Sequence, residues 1–334
     1  MSKPKSIFIL GPGSKNQIYN PDAQKTLGEL TENDGAVHSR EQILSQPDAY
    51  ADVEIGFSGW GSPVLDAELL EALPNLKAYF YGAGTVRGFV TDAFWERDIL
   101  LTSAYKANAV PVAEYTVSMI NLSLKRVWHY LNKLPGKKED HGKSAIPGMY
   151  TGSRIGIISL GAIGQLVCQK LADHDVDVFA YDPYADASVF EACHARQVDA
   201  LETLFADCDV VSLHAPWLPQ TENLITGAHL ESMREGATFI NTSRGKIVDE
   251  PAMIEVLRKR PDLFAVIDVV QDESDYAGNP LADLPNAVLM PHIAGSMGRE
   301  CHRMGAYVVE ECRRYLNGDA PMIPISREAA KLLA

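Results

Sequence analysis

Residues 154–165 read RIGIISLGAIGQ: a β-branched run, a turn bearing Gly161 and Gly164, and the start of a helical pattern. Backbone N–H groups at a helix N-terminus, at the positive end of its dipole, cradle a pyrophosphate without any cationic side chain. In that reading Gly161 lets the backbone approach the phosphates, Ala162 and Ile163 open the helix, and Gly164 lets helix and strand pack closely. The full dinucleotide fingerprint has glycine at position 159, where this chain has Ser159. Taken alone, the segment also admits a lesser reading, a tight strand-to-helix turn that holds nothing.

The next strand shifts that balance. Residues 178–182 read VFAYD, an apolar run ending in Asp182, eighteen positions past Gly164. An acid at the end of the second strand accepts hydrogen bonds from the adenosine ribose hydroxyls and repels a 2′-phosphate. Pro183, Tyr184, Ala185 and Asp186 follow, with no arginine to receive that phosphate. NAD is therefore expected over NADP.

Outward from this turn the chain keeps one rhythm. Strands are expected at 154–158, 176–181, 209–213, 237–241, 264–268 and 288–290, with helices over 162–172, 200–206, 227–234 and 251–260 between most of them. That is the layout of a doubly wound nucleotide-binding sheet. A similar series precedes it, with strands at 6–10, 52–57, 77–80 and 99–102 and helices at 21–30, 40–45, 65–73 and 91–97. A helix over 111–128, with Pro111 in its first turn, joins the two series. Residues 133–150, rich in Gly, Pro, Lys and His, read as linker, and 298–316 as a closing helix. The class is α/β, in two parallel-sheet domains.

With 334 residues, two cores are the natural expectation. A net charge of −14 repels phosphate backbones and anionic lipid, so neither nucleic acid nor membrane is an expected partner. An anionic substrate would then need a local cationic anchor. Five scattered cysteines, Cys168, Cys193, Cys208, Cys301 and Cys312, make neither a disulfide framework nor a metal site, and no metal is expected. The apolar run near the N-terminus stops at Leu10, too short for a signal-peptide core, so a cytoplasmic, reducing setting is expected.

Ligands of such sheets sit beyond the carboxyl ends of the strands. Past 237–241 come Thr242, Ser243 and Arg244; past 264–268 come residues up to Glu273, with Asp268 ending the strand itself; past 288–290 come His292 and Gly295. Each has a bland reading as a turn or structural residue. Three chemically distinct groups at one sheet edge are harder to dismiss. Arg244 is suited to grip a carboxylate. Histidine exchanges its proton near neutral pH, so His292 can serve a forming alkoxide, with Glu273 fixing its tautomer. Asp268 is a candidate acceptor for a nicotinamide carboxamide.

At these residues the chain resembles the D-isomer-specific 2-hydroxyacid dehydrogenases. The matching segments are 108–115 (NAVPVAEY), 156–164, 211–216 (VSLHAP), 239–250 (FINTSRGKIVDE), 267–273 and 289–296 (LMPHIAGS). The resemblance implies Arg244, Glu273 and His292 as the catalytic trio and Asp182 as the ribose acid. It also implies His214, Ala215 and Pro216 beside the cofactor, with His214 structural. It implies a Rossmann NAD-binding domain, 107–303, inserted into a flavodoxin-like substrate domain made of 1–106 and 304–334, and a homodimer. The glycine-rich loop Gly82, Ala83 and Gly84 would hold a substrate carboxylate. Arg87 and Trp60 are further substrate candidates, each equally readable as a surface cation and a core ring. The chain departs from the family pattern at Ser159 and in DVVQDE, which lacks the usual proline beside the glutamate.

The substrate classes implied are glyoxylate, hydroxypyruvate and 3-phosphoglycerate. A chain ending at Ala334 is expected to lack the extra regulatory domain of longer phosphoglycerate enzymes. The competing readings are a non-enzymatic NAD-sensing module of the same fold and a formate or phosphite dehydrogenase relative.

Overall fold

A computed structural model of the chain describes residues 3–128, 130 and 150–333. It divides into two compact units, Met1–Asn108 with Ser296–Ala334, and Ala109–Gly295. The return crossing comes ahead of the closing helix, eight residues before the expected position 304. The reason is local: Ser296 N–H donates to Asn108 Oδ1 at 3.0 Å, and the Cys301 thiol donates to Ser296 O.

The first unit carries four parallel strands, β1 (Lys5–Phe8), β2 (Val53–Ser58), β3 (Ala78–Tyr81) and β4 (Leu100–Ser103), paired in that order. Parallel bridges Lys5–Glu32 and Phe8–Val37 lay the segment 32–37 along the free edge of β1. Counted as a strand, that segment gives the flavodoxin-like order 2-1-3-4-5. One face is covered by α1 (Ser14–Ile18), α2 (Pro21–Leu30) and α12 (Cys301–Asn317) through Ile18, Leu27, Met304 and Val308. The other face buries Ile43 of α3 (Arg40–Ser45), Leu69 of α4 (Ala67–Glu71), Phe94 of α5 (Asp92–Trp95) and Ala330 of α13 (Arg327–Leu332).

The second unit begins within α6 (Tyr105–Leu124) and builds seven parallel strands: β5 (Ser153–Ile158), β6 (Val176–Tyr181), β7 (Arg196–Gln197), β8 (Val210–Leu213), β9 (Thr238–Asn241), β10 (Phe264–Ile267) and β11 (Ala287–Leu289). Their order is β11-β10-β9-β8-β5-β6-β7. The direction of winding reverses between β5 and β8, which makes that junction the switch point of a Rossmann sheet. Both faces are covered. Phe205 of α9 (Leu201–Asp207), Leu230 of α10 (Gly227–Glu231) and Leu257 of α11 (Glu250–Lys259) pack on one side. Ile120 of α6, Val167 of α7 (Ala162–Leu171) and Phe190 of α8 (Ala187–Ala192) pack on the other. Near-continuous apolar strands are what burial on two faces demands.

Several expectations need correction. Pro111 lies inside α6, seven residues in, because Tyr105–Val110 are already helical and the Ser103 hydroxyl accepts from Tyr105 N–H at the start. The ring removes one hydrogen bond of the ladder without ending the helix. Helices α1, α8 and α13 and the two-residue β7 are too short for periodicity to reveal. The linker expected over 133–150 lies, but for Tyr150, outside the described residues. All five cysteines are buried and free. Among the described residues no helix is long and apolar enough to cross a membrane.

Candidate active site

The turn after β5 is built as its glycines require. Gly161 caps α7 with no side-chain cap, and a Cβ there would meet nothing within 4 Å among the described residues. The first N–H groups of this ten-residue helix thus have no side-chain cap, and the space beside Gly161 is clear. At Gly164 any Cβ would run into the Ser159 carbonyl oxygen, so the close helix–strand approach is real. Ser159 itself has φ 75°, the left-handed region that favours glycine. Asp182, at the end of neighbouring β6, is tied to this turn: its Oδ2 accepts from Leu160 N–H at 2.8 Å and from the Ser159 hydroxyl at 3.2 Å. An open helix terminus with an acid one strand away fits a dinucleotide.

Two strands beyond the switch point, the polar trio assembles within this same unit. His292 Nδ1 and Glu273 Oε2 are 2.9 Å apart, with both side chains roughly two-fifths exposed. Arg244 is half-buried, and its guanidinium donates to Ser243 O at 2.7 Å. Burial pulls its pKa below the ordinary arginine value, and the charge of Glu273 acts against that pull. Arg244 therefore stands within the field of the Glu273 carboxylate.

What holds the trio was largely hidden in the sequence. His292 has φ 55°, again left-handed. Its N–H donates to Asp268 O at 2.9 Å, and the next two N–H groups, of Ile293 and Ala294, donate to the two Asp268 carboxylate oxygens at 2.8 and 3.0 Å. Asp268, a cofactor candidate from sequence, is 1% exposed and has both oxygens engaged in holding this turn. Burial raises its pKa above the usual carboxylate value, while the two N–H bonds oppose the shift. The Glu273 loop is pinned by buried Glu250, which accepts from Gln271 N–H and from Asn279 Nδ2, both at 2.8 Å. Gly245 lets the Arg244 turn press against the Val270 backbone, where a Cβ would collide. The Tyr276 hydroxyl donates to Asp268 O at 3.4 Å, and burial, then the charge of Glu273, push its pKa up to about 12. Glu250 and Tyr276 carried no sequence signal beyond their places in a matching or acidic segment.

The other candidates fall as follows. His214, at the end of β8, sits at the switch point with its N–H on Ile158 O at 2.9 Å. It is fully buried, its Nε2 lies 2.9 Å from Ser212 Oγ, and its Nδ1 has no partner among the described residues. Burial lowers its pKa to about 3, so it stays neutral. Ala215 O accepts from the Ser243 hydroxyl, and Thr242 Oγ1 lies 3.1 Å from Thr116 Oγ1. Pro216 O accepts from the Thr221 hydroxyl. Gly295 closes the second unit. Trp60, Gly82, Ala83, Gly84 and Arg87 belong to the first unit. Gly82 and Ala83 are buried just past the end of β3, Trp60 is half-buried against the core clusters on the two faces of that unit's sheet, and Arg87 is exposed.

A doubly wound dinucleotide-binding sheet, with a histidine–carboxylate pair and an arginine past its ligand edge, defines the class. Residues 117–294 match the family model described as D-isomer specific 2-hydroxyacid dehydrogenase, NAD binding domain. The chain belongs to that family. It is 30% identical to a glyoxylate/hydroxypyruvate reductase B of an Enterobacter species, over 84% of this chain and 86% of that one. It is 28% identical to a D-3-phosphoglycerate dehydrogenase of Archaeoglobus fulgidus, over 82% of this chain and 51% of that one. The chain thus spans about half the length of the D-3-phosphoglycerate dehydrogenases it matches. A solved phosphoglycerate oxidoreductase from Rhizobium etli shares its fold, with a TM-score of 0.83 at 22% identity, covering 98% of this chain and 99% of that one.

Proposed function

We propose that the chain is an NAD-dependent oxidoreductase that transfers a hydride between nicotinamide and C2 of a small D-2-hydroxy or 2-oxo acid. The observation that carries this is the His292–Glu273 pair at 2.9 Å, with half-buried Arg244 in the field of the same glutamate. NAD, when bound, supplies the hydride acceptor or donor. Arg244 holds the substrate carboxylate as a planar, permanently charged donor. Because Glu273 takes the Nδ1 side of the ring, His292 Nε2 is left to hand its proton to the oxygen on C2 during reduction and to take it back in oxidation. The left-handed turn at His292, fixed by Asp268, aims that nitrogen. Asp182 favours NAD over NADP by charge.

Glyoxylate, hydroxypyruvate and 3-phosphoglycerate are the substrate classes, in keeping with the names of the relatives. Backbone N–H groups at Gly82–Gly84, with Trp60 and Arg87, are proposed to face the substrate. Thr242, Ser243, His214, Ala215, Pro216 and Gly295 are proposed to line the cofactor. A cytoplasmic homodimer completes the proposal. Purified protein mixed with NADH and a panel of 2-oxo acids tests it through loss of NADH absorbance. NADH binding without consumption by any acid would replace the enzyme with an NAD sensor. Formate or phosphite oxidation faster than every 2-oxo acid rate would move the chain to that chemistry.

A further inference from the structure

The Asp182 carboxylate is already saturated by the protein. Oδ2 accepts from Leu160 N–H at 2.8 Å and from the Ser159 hydroxyl at 3.2 Å; Oδ1 accepts from Tyr184 N–H at 2.9 Å and from Ala185 N–H at 3.2 Å. An ionised carboxylate offers about four lone-pair sites, and these four donors occupy them. Three of the donors are backbone groups fixed by their turns. The fourth is a hydroxyl free to rotate about one bond, at a distance beyond the usual ~2.5–3.0 Å of an O–H···O bond. It is the donor that an incoming hydroxyl displaces most readily. It also stands where the dinucleotide fingerprint has glycine, on a backbone with φ 75°. This chain therefore carries, at a strained position, a side chain whose hydroxyl reaches the acid.

We propose that Ser159 tunes dinucleotide affinity: its hydroxyl occupies an Asp182 acceptor in the unliganded protein and swings aside when an adenosine ribose hydroxyl takes that place. The inference rests on the reading of Asp182 as the ribose acid. Ser159 is then an internal competitor of the cofactor, and glycine at the same position has no such rival to offer.

Two variants separate the hydroxyl from the strain. Ser159→Ala removes the rival but keeps Cβ, and Ser159→Gly removes both. Each should bind NADH about two- to five-fold more tightly in a fluorescence titration, the fold-change expected for loss of one weak competing hydrogen bond. Only Ser159→Gly should also raise the melting temperature. The gain should vanish with an NADH analogue whose adenosine ribose lacks its 2′ and 3′ hydroxyls. Equal or weaker NADH binding by Ser159→Ala, or an equal gain with the dideoxy analogue, overturns the proposal. Asp182→Asn distinguishes the two failures. An unchanged NADH-to-NADPH affinity ratio there removes the ribose-acid reading and this inference with it. A shifted ratio, alongside no gain in Ser159→Ala, removes this inference alone.

Discussion

Two turns along the carboxyl edge of the second sheet, after β5 and after β11, solve the same problem with the same parts. After β5, Ser159 turns left-handed and the next N–H binds Asp182 at the end of neighbouring β6. After β11, His292 turns left-handed and the next N–H binds Asp268 at the end of neighbouring β10. In both, an aspartate one strand away holds a backbone conformation that an L-residue rarely adopts. The difference lies in burial. Asp182 is half-buried, and a ligand can compete for it. Asp268 is sealed, 1% exposed, and its carboxylate serves the turn. One device presents an acid; the other presents the histidine that the acid holds.

That contrast predicts a graded set of losses. His292→Ala should lower turnover by about 10²–10⁴-fold while NADH affinity stays unchanged, measured by steady-state kinetics and fluorescence. Near-normal turnover would remove the acid–base role and with it the reason for the second turn. Asp268→Ala should unfold more easily by about 2–4 kcal/mol, because two N–H groups lose their acceptors in a buried place. Asp182→Ala should cost clearly less on the same urea curve. Equal costs would break the distinction between a sealed and an open aspartate.

The end of β8 lies between the two turns and uses neither device. There burial pulls His214 down to about 3, below the ordinary 6.5. Between those values the unfolded chain binds a proton that the native protein refuses. Stability should therefore fall as pH drops through this window, by about 1.4 kcal/mol per pH unit at the steepest. His214→Asn should flatten that acid limb in melts between pH 6.5 and 4.5, and an unchanged slope would show that His214 takes its proton in the folded state. The smallest effects test the shared strain. Ser159→Gly and His292→Gly should each stabilise by about 0.5–1 kcal/mol. A gain in only one would mean that the two turns are not equivalent.

Which parts of this were legible in the sequence follows from what side-chain patterns encode. Strand ends are marked by the stop of an apolar run, so counting places Asp182, Arg244 and His292 at one edge. Turn handedness leaves no such mark. Neither serine nor histidine announces φ above zero, and so the departure at Ser159 read only as an imperfect fingerprint. Asp268 is placed at the edge by its type and position; that the N–H groups of Ile293 and Ala294 bind its two oxygens has no mark in the sequence. Glu250 is farther from reach, since its partners Gln271 and Asn279 are more than twenty residues away. Pro111 misled for the opposite reason, a strong local rule overridden by the helical run before it.

The clamp that Glu250 makes has a consequence for engineering. Its two oxygens fix residues 271 and 279, so residues 272–278 form a segment whose anchorage lies outside itself. Provided Glu273 and Tyr276 are retained, the rest of that segment can be exchanged or randomised as a cassette without redesigning the sheet below it. A library confined to those positions would explore new chemistry beside the histidine while the scaffold keeps its fold.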